Sequence, residues 1–316
     1  RKSIISEEIN KYVKKSGIKT RYAATSVSGN SVIIRYIKLP KMEKKEISDR
    51  INAEAEAFIP FDINEVYLSH YITNPSIFED GQNKMELVLV AAKREVVDEK
   101  IDIINSAGLI PVLIDVDSFA IENLVNYIEG EPKDEFKAIM IVNIGNRVTN
   151  LSILANNLML AKENPQIKPS YYSKLVRDIF VAGSSFDRAI SKKMNIEMDR
   201  VDEFKKTAKI LLTDEDKLEA INNYDKFTIL ASRVMSGVMK ELVSDISRSI
   251  DFFVSSGVES NISKIYISGG ISSIKNLNLS FYDELKIPVE NLNPFSILEN
   301  KPDNIPQHVL NSLAVA

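Results

Sequence analysis

The chemistry open to this 316-residue chain concentrates at three short glycine-bearing stretches. Residues 143–149 run Asn143, Ile144, Gly145, Asn146, Arg147, Val148, Thr149, a glycine turn behind an apolar run. Residues 180–186, "FVAGSSF", put Gly183 and Ser184 ahead of a helical pattern. Residues 267–273, "ISGGISS", put Gly269 and Gly270 between a buried run and a further helix-like segment. Glycine at such positions lets the backbone approach an anion, and a helix start behind it offers unpaired amides. Each stretch alone reads more simply as an ordinary turn or cap. Metal-bound phosphate asks for more: a carboxylate ahead of the glycine, to hold metal-bound water or accept its hydrogen bond. Position 143 is asparagine, a poor Mg²⁺ ligand and no base. Efficient hydrolysis is not expected there.

Other chemistry is sparse. The two histidines, His70 in the alternating "LSHYIT" and His308 beside Pro306, have no partners at triad or metal-ligand spacing. There is no cysteine, hence no disulfide and no thiol nucleophile, which suits the cytoplasm. A glycine loop ending in Gly-Lys-Ser/Thr and a GxGxxG fingerprint are both absent from the sequence. A net charge of −4 argues against broad, charge-driven nucleic-acid binding. No apolar run approaches the roughly 18 residues needed to span a membrane. No signal peptide is visible, and a chain opening on Arg1 rather than Met is expected to have lost its true start.

The elements that would position these residues alternate between strand and helix. Residues 6–17 read as a helix with Ser6 as N-cap, and two strands follow around the turn residues Ser28, Gly29 and Asn30. Ile47, Ile51, Ala55 and Phe58 share one face of a helix that Pro60 stops. "VYLSHYIT" and "MELVLVAAK" are strands, with "NPSIFEDGQN" as a flexible loop between them. A helix ending at Gly108, the apolar strand "LIPVLIDV" and a helix capped by Asp117 or Ser118 come next. Strands at 138–144, 149–154 and 158–162 form a meander, and "ENPQIKPSYYSK" reads as a loop. Helical periodicity dominates from about Ser184 to Ser256, and the chain closes on strand, glycine turn, a helix-like segment, strand and a last helix from about Ile305. Strand and helix alternating in both halves indicate an α/β architecture of two lobes.

Order narrows the reading: a hairpin turn, a helix-start glycine, a long helical excursion, then strand–Gly-Gly–helix is how actin-like ATPases build their second lobe. Residues 37–72, "IKLPKMEKKEISDRINAEAEAFIPFDINEVYLSHYI", resemble the type IV pilus assembly protein PilM family, with its Leu-Pro strand end, its E-A-E helix and its I-P-F segment. Residues 91–124, residues 266–295 and the closing "NSLAVA" resemble the same family, so the similarity spans nearly the whole chain. It implies an actin-like, FtsA-related α/β fold. Residues 1–30 and 109–135 would belong to domain I, 31–108 to its inserted subdomain, and 136–304 to domain II with a helical part at 191–260. Residues 305–316 would return as a terminal helix to domain I.

The resemblance also implies ligands. ATP, possible with Mg²⁺, would meet Asn143, Gly145, Asn146, Thr149, Gly183, Gly269 and Gly270, with Glu203 and Lys206 as a Glu-x-x-Lys contact to the nucleoside. Glu203 and Lys206 also read as a solvated helical pair, with Lys205 competing. The chain departs from the family at Asn143, at the longer and proline-containing residues 163–176, and at Ala182-Gly183 in place of Gly-Gly. It also lacks the family's opening segment with a first phosphate hairpin. The implied function is a cytoplasmic adaptor at the inner membrane, binding the N-terminal cytoplasmic peptide of a PilN-like protein, with weak or no hydrolysis. The groove would lie between the inserted subdomain and the rest of domain I. Phe58, Ile59 and Phe61 are candidate anchors for the peptide, unless they simply close that subdomain's core. No catalytic residue or metal ligand is assigned. The alternatives are an active actin-like ATPase, a sugar kinase using Asp115 or Asp117 as base, or an FtsA-like filament protein.

Overall fold

The computed structural model describes residues 2–223, 225–256 and 261–297, without the side chains of residues 44, 48, 49, 206 and 207. They divide into two units, one reaching Phe119 and the other starting at Ala120. The expected terminal helix from Ile305, with His308, lies outside the described residues.

In the first unit α1 (Lys2–Ser16) packs on α3 (Arg94–Ser106). Ser6 is not the N-cap expected of it but sits inside α1. Its hydroxyl donates to Ile103 O at 3.0 Å, and Asn10 Nδ2 donates to Ala107 O at 2.8 Å, so α1 satisfies carbonyls at the end of α3. β1 (Tyr22–Val27) pairs in parallel with β5 (Ile110–Val116). β2 (Val32–Pro40) leaves this pair for a separate antiparallel sheet of order β2-β4-β3, with β3 at Val66–Glu79 and β4 at Gln82–Lys93.

β4 is apolar on both sides because it is central. Met85, Leu87, Leu89 and Ala91 face α2 (Lys44–Glu56), whose Ile47, Ile51 and Ala55 recur at four-residue spacing. Val88, Val90 and Ala92 alternate onto the opposite side. The loop expected at 74–83 is instead strand. β3 continues to Glu79 with register shifts around Asn74, and the reversal is confined to Asp80 at φ 53° and Gly81 at φ 74°. Asp-Gly favours this left-handed two-residue turn, and the register shifts absorb Pro75 on an edge strand.

The second unit is built on a sheet of order β10-β9-β6-β7-β8, comprising β6 (Lys137–Ile144), β7 (Thr149–Asn156), β8 (Tyr171–Ile179), β9 (Asn261–Ser268) and β10 (Val289–Asn291). The meander survives with a different third strand. Residues 158–162, expected as strand, fall in the short helix α5 (Leu158–Glu163), and β8 occupies part of the stretch expected as loop. "LMLAKE" is made of good helix formers, whereas Tyr171, Tyr172, Val176 and Ile179 favour a strand.

One face of this sheet, with Met140, Val142, Ile144, Leu151 and Ile267, packs against α6 (Gly183–Met194), α9 (Lys226–Ser255) and α10 (Leu277–Leu285). Phe186, Phe253 and Phe281 are fully buried there, each contributing about 2 kcal/mol over an exposed position. α7 (Met198–Thr207) and α8 (Asp214–Asn222) complete the helical part. On the other face Ile139, Ile141, Leu154 and Tyr266 meet Ile121 and Val125 of α4 (Asp117–Glu129). Within the stretch 109–135, β5 pairs with β1 in the first unit and the apolar face of α4 packs on the second unit's sheet. Glu129 accepts from the Tyr266 hydroxyl and from Lys264 Nζ, tying the end of α4 to β9. Burial and the bond to Glu129 push the Tyr266 phenol up to about 12.

Candidate functional site

The glycine turns of the second unit converge. Gly145, Asn146, Gly183 and Gly270 line one cavity of about 550 Å³, within the range of small-molecule sites. The turns brace each other: Gly183 N donates to Gly145 O at 2.9 Å and Ser184 N to Asn146 O at 2.7 Å. Gly269 serves the backbone rather than the cavity. It stands at φ 87°, and a Cβ there would lie 2.2 Å from Ile144 O. Gly270 has open space around its Cβ position. Thr149 is buried outside the cavity, its Oγ1 donating to Val181 O at 2.7 Å and fixing the approach to α6.

Asn143 does not line the cavity either. It belongs to a polar row across four strands, set by register: Ser268, Asn143, Asn150 and Asp178 stand opposite one another in turn. Ser268 Oγ donates to Asn143 Oδ1 at 3.0 Å, Asn143 Nδ2 to Asn150 Oδ1 at 3.3 Å, and Asn150 Nδ2 to Asp178 Oδ1 at 2.7 Å. The amide of Asn143 is used on both ends.

From α7 the cavity receives Asp202 and Lys205, not Glu203, which is exposed; the side chain of Lys206 lies outside the described residues. Lys205 Nζ pairs with Asp187 at 2.5 Å and Asp202 at 2.8 Å. Burial works against its charge, but the bonds to Asp187 and Asp202 outweigh it and hold the lysine above its ordinary pKa. Volume and backbone turns fit an anionic ligand such as a nucleotide. Toward Mg²⁺, position 143 offers an engaged neutral amide in place of a carboxylate.

The first unit holds a second cavity, of about 360 Å³, which the glycine motifs gave no sign of. Its floor is the sheet face away from α2, with Val88, Val90 and Ala92 flanked by Tyr67, Ser69 and Tyr71 of β3. Val27, Val97, Ile114, Val116 and Phe119 form the facing wall, and Asp115 and His70 are its ionisable lining groups. Tyr67 is held in place, its hydroxyl donating to Asp98 at 3.0 Å and its ring lying 4.3 Å from the Arg94 guanidinium. β3 is an edge strand, so backbone groups beside this groove are not used by the sheet.

None of the three candidate peptide anchors is among the residues lining this groove. Ile59 is buried in the α2 core, Phe61 packs against the same core under Lys93, and Phe58 is 41% exposed without lining the groove. The sequence signal for this groove is the double-sided apolarity of "MELVLVAAK" beside alternating Tyr67 and Tyr71. Asp117, the alternative kinase base, is the first residue of α4, and Asp115 lines the groove of the first unit rather than the glycine cavity.

Sheets of this order, with paired glycine turns and an inserted three-stranded subdomain, define the actin-like α/β class. A family model described as type IV pilus assembly protein PilM matches residues 1–211 and 213–315, and the chain belongs to that family. The structure is similar to that of a PilM–PilN type IV pilus biogenesis complex, with a TM-score of 0.77 and 25% identity over 99% of this chain and 82% of that one. It is also similar to the ethanolamine utilization protein EutJ of Carboxydothermus hydrogenoformans, at TM-score 0.42 and 14% identity over 69% and 59% of the two chains. MreB5 of Spiroplasma citri bound to AMPPNP matches at TM-score 0.35 and 19% identity, over 63% and 59%.

Proposed function

We propose that this chain is an adaptor of the type IV pilus assembly machine, taking the extended cytoplasmic peptide of a PilN-like inner-membrane protein along the groove of its first unit. The observation that carries this reading is the groove itself, an apolar floor and wall beside a free edge strand. An extended peptide gains main-chain hydrogen bonds from such an edge and specificity from alternate side chains lodged in the apolar trough. The similarity to a PilM–PilN complex supports the choice of partner. No helix among the described residues is long and apolar enough to cross a membrane, so a tethered partner would bring the adaptor to the cytoplasmic face of the inner membrane. ATP, in this reading, is a structural or regulatory ligand of the glycine cavity, with turnover near background because position 143 supplies no acid.

The test is a titration of a fluorescent peptide corresponding to the partner's cytoplasmic tail. Val90→Glu places a charge on the groove floor and is expected to weaken binding at least tenfold, while Phe58→Ser, outside the groove, leaves it unchanged. Full affinity in a folded Val90→Glu protein would move the docking surface elsewhere.

A further inference from the structure

The surface from Lys11 to Tyr22 contributes no residue to the lining of the first unit's groove. Between Lys11 and Arg21 lie five basic residues, Lys11, Lys14, Lys15, Lys19 and Arg21, and no acid occurs from Ile9 to Met42 in a chain of net charge −4. Lysines at the end of α1 complement its C-terminal carbonyls, which accounts for Lys14 and Lys15 but not for Lys19 or Arg21. Lys11 pairs with Glu8 at 2.7 Å, whereas Lys14, Lys15 and Lys19 form no ion pair among the described residues. Interleaved with these cations, Tyr12, Ile18 and Tyr22 are 73%, 53% and 65% exposed.

The segment is also held in place. Ser6 and Asn10 fasten one side of α1 to α3, which leaves Lys11, Tyr12 and Lys15 on the other and Lys14 on a flank. Gly17, at φ 69°, ends the helix. Beyond it, Arg21 donates from Nε and Nη2 to Gly108 O at 3.1 and 2.9 Å. Cations with aromatic and aliphatic side chains between them, on an anchored backbone segment, suit the boundary of an anionic bilayer, where ammonium groups meet lipid phosphates and Tyr and Ile enter the interface. Nucleic acid would use the charges but gains little from Ile18.

We propose that this face docks directly on an anionic phospholipid surface, a second attachment independent of the peptide groove. Partition of the full chain onto vesicles of phosphatidylcholine containing phosphatidylglycerol, measured by co-sedimentation, tests it. Each unpaired cation near such a surface contributes about fivefold, so Lys14→Gln, Lys15→Gln and Lys19→Gln together are expected to lower partition about 100-fold. Tyr12→Ser with Ile18→Ser is expected to weaken the salt-resistant part of the binding, and both variants should keep full peptide affinity, which reports that they are folded. Equal partition onto pure phosphatidylcholine, no partition onto the anionic vesicles, or an unaffected triple variant overturns the proposal. So does tighter binding to a short DNA duplex than to the vesicles, which would reassign the face to nucleic acid.

Discussion

Gly269 and Gly270 are neighbours with opposite duties. At Gly269 a methyl group meets Ile144 O at 2.2 Å in a backbone conformation that L-residues rarely adopt, so substitution there forces β6 and β9 apart. At Gly270 the same methyl meets open space beside the cavity. Gly269→Ala is therefore expected to lose about 3 kcal/mol or more of stability in urea unfolding. Gly270→Ala is expected to remain within about 1 kcal/mol of the parent protein and to weaken nucleotide binding by crowding the space where a ligand would sit. Nucleotide affinity lost only at Gly269, in parallel with stability, would mean that the cavity is not where the ligand binds. The pair separates a glycine needed for folding from one available to function.

At the scale of elements, the polar row across β9, β6, β7 and β8 decides what Asn143 can become. An aspartate there turns an acceptor toward Asn150 Oδ1, which now receives the Asn143 amide, in a position only 8% exposed. Asn143→Asp should cost about 1–3 kcal/mol at neutral pH. The new carboxyl, buried against another acceptor, will have its folded pKa raised above the unfolded value of about 3.9. Its protonated form can donate in place of the lost amide, so the contribution is present below the unfolded pKa and is lost as pH rises through the folded one. Urea midpoints of variant and parent should converge on acidification, and a constant gap would exclude this account.

That row was not legible in the sequence, because cross-strand neighbours depend on register, and a glycine motif says nothing of register. The turns themselves were legible, since glycine after a buried run has few other uses. Residues 74–83 misled because an Asn-Pro pair usually ends a strand, and here register shifts carry β3 past it. Residues 58–61 could not be assigned from sequence, because apolar side chains after a helix serve a core or a partner. Only packing tells them apart.

For the whole molecule, the neutral residue at position 143 bears on metal: if the glycine cavity takes ATP, as we propose, binding is expected not to need Mg²⁺. The cavity's two lining carboxylates, Asp187 and Asp202, already hold Lys205. ATP is expected to raise the melting temperature, by about 2–4 °C per kcal/mol of binding free energy, equally with Mg²⁺ and with EDTA. A shift confined to Mg²⁺ would show that a metal takes part. Absence of any shift would remove ATP from the proposal and leave the peptide groove standing. The long β3–β4 hairpin has a further use. Its Asp80–Gly81 tip is remote in register from Tyr67 and Ala92, the paired residues beside the groove, and the chain has no cysteine. Any thiol placed at the tip is therefore the sole attachment point for a dye, a spin label or a solid support, so the chain can be oriented on a surface with the groove of its first unit free.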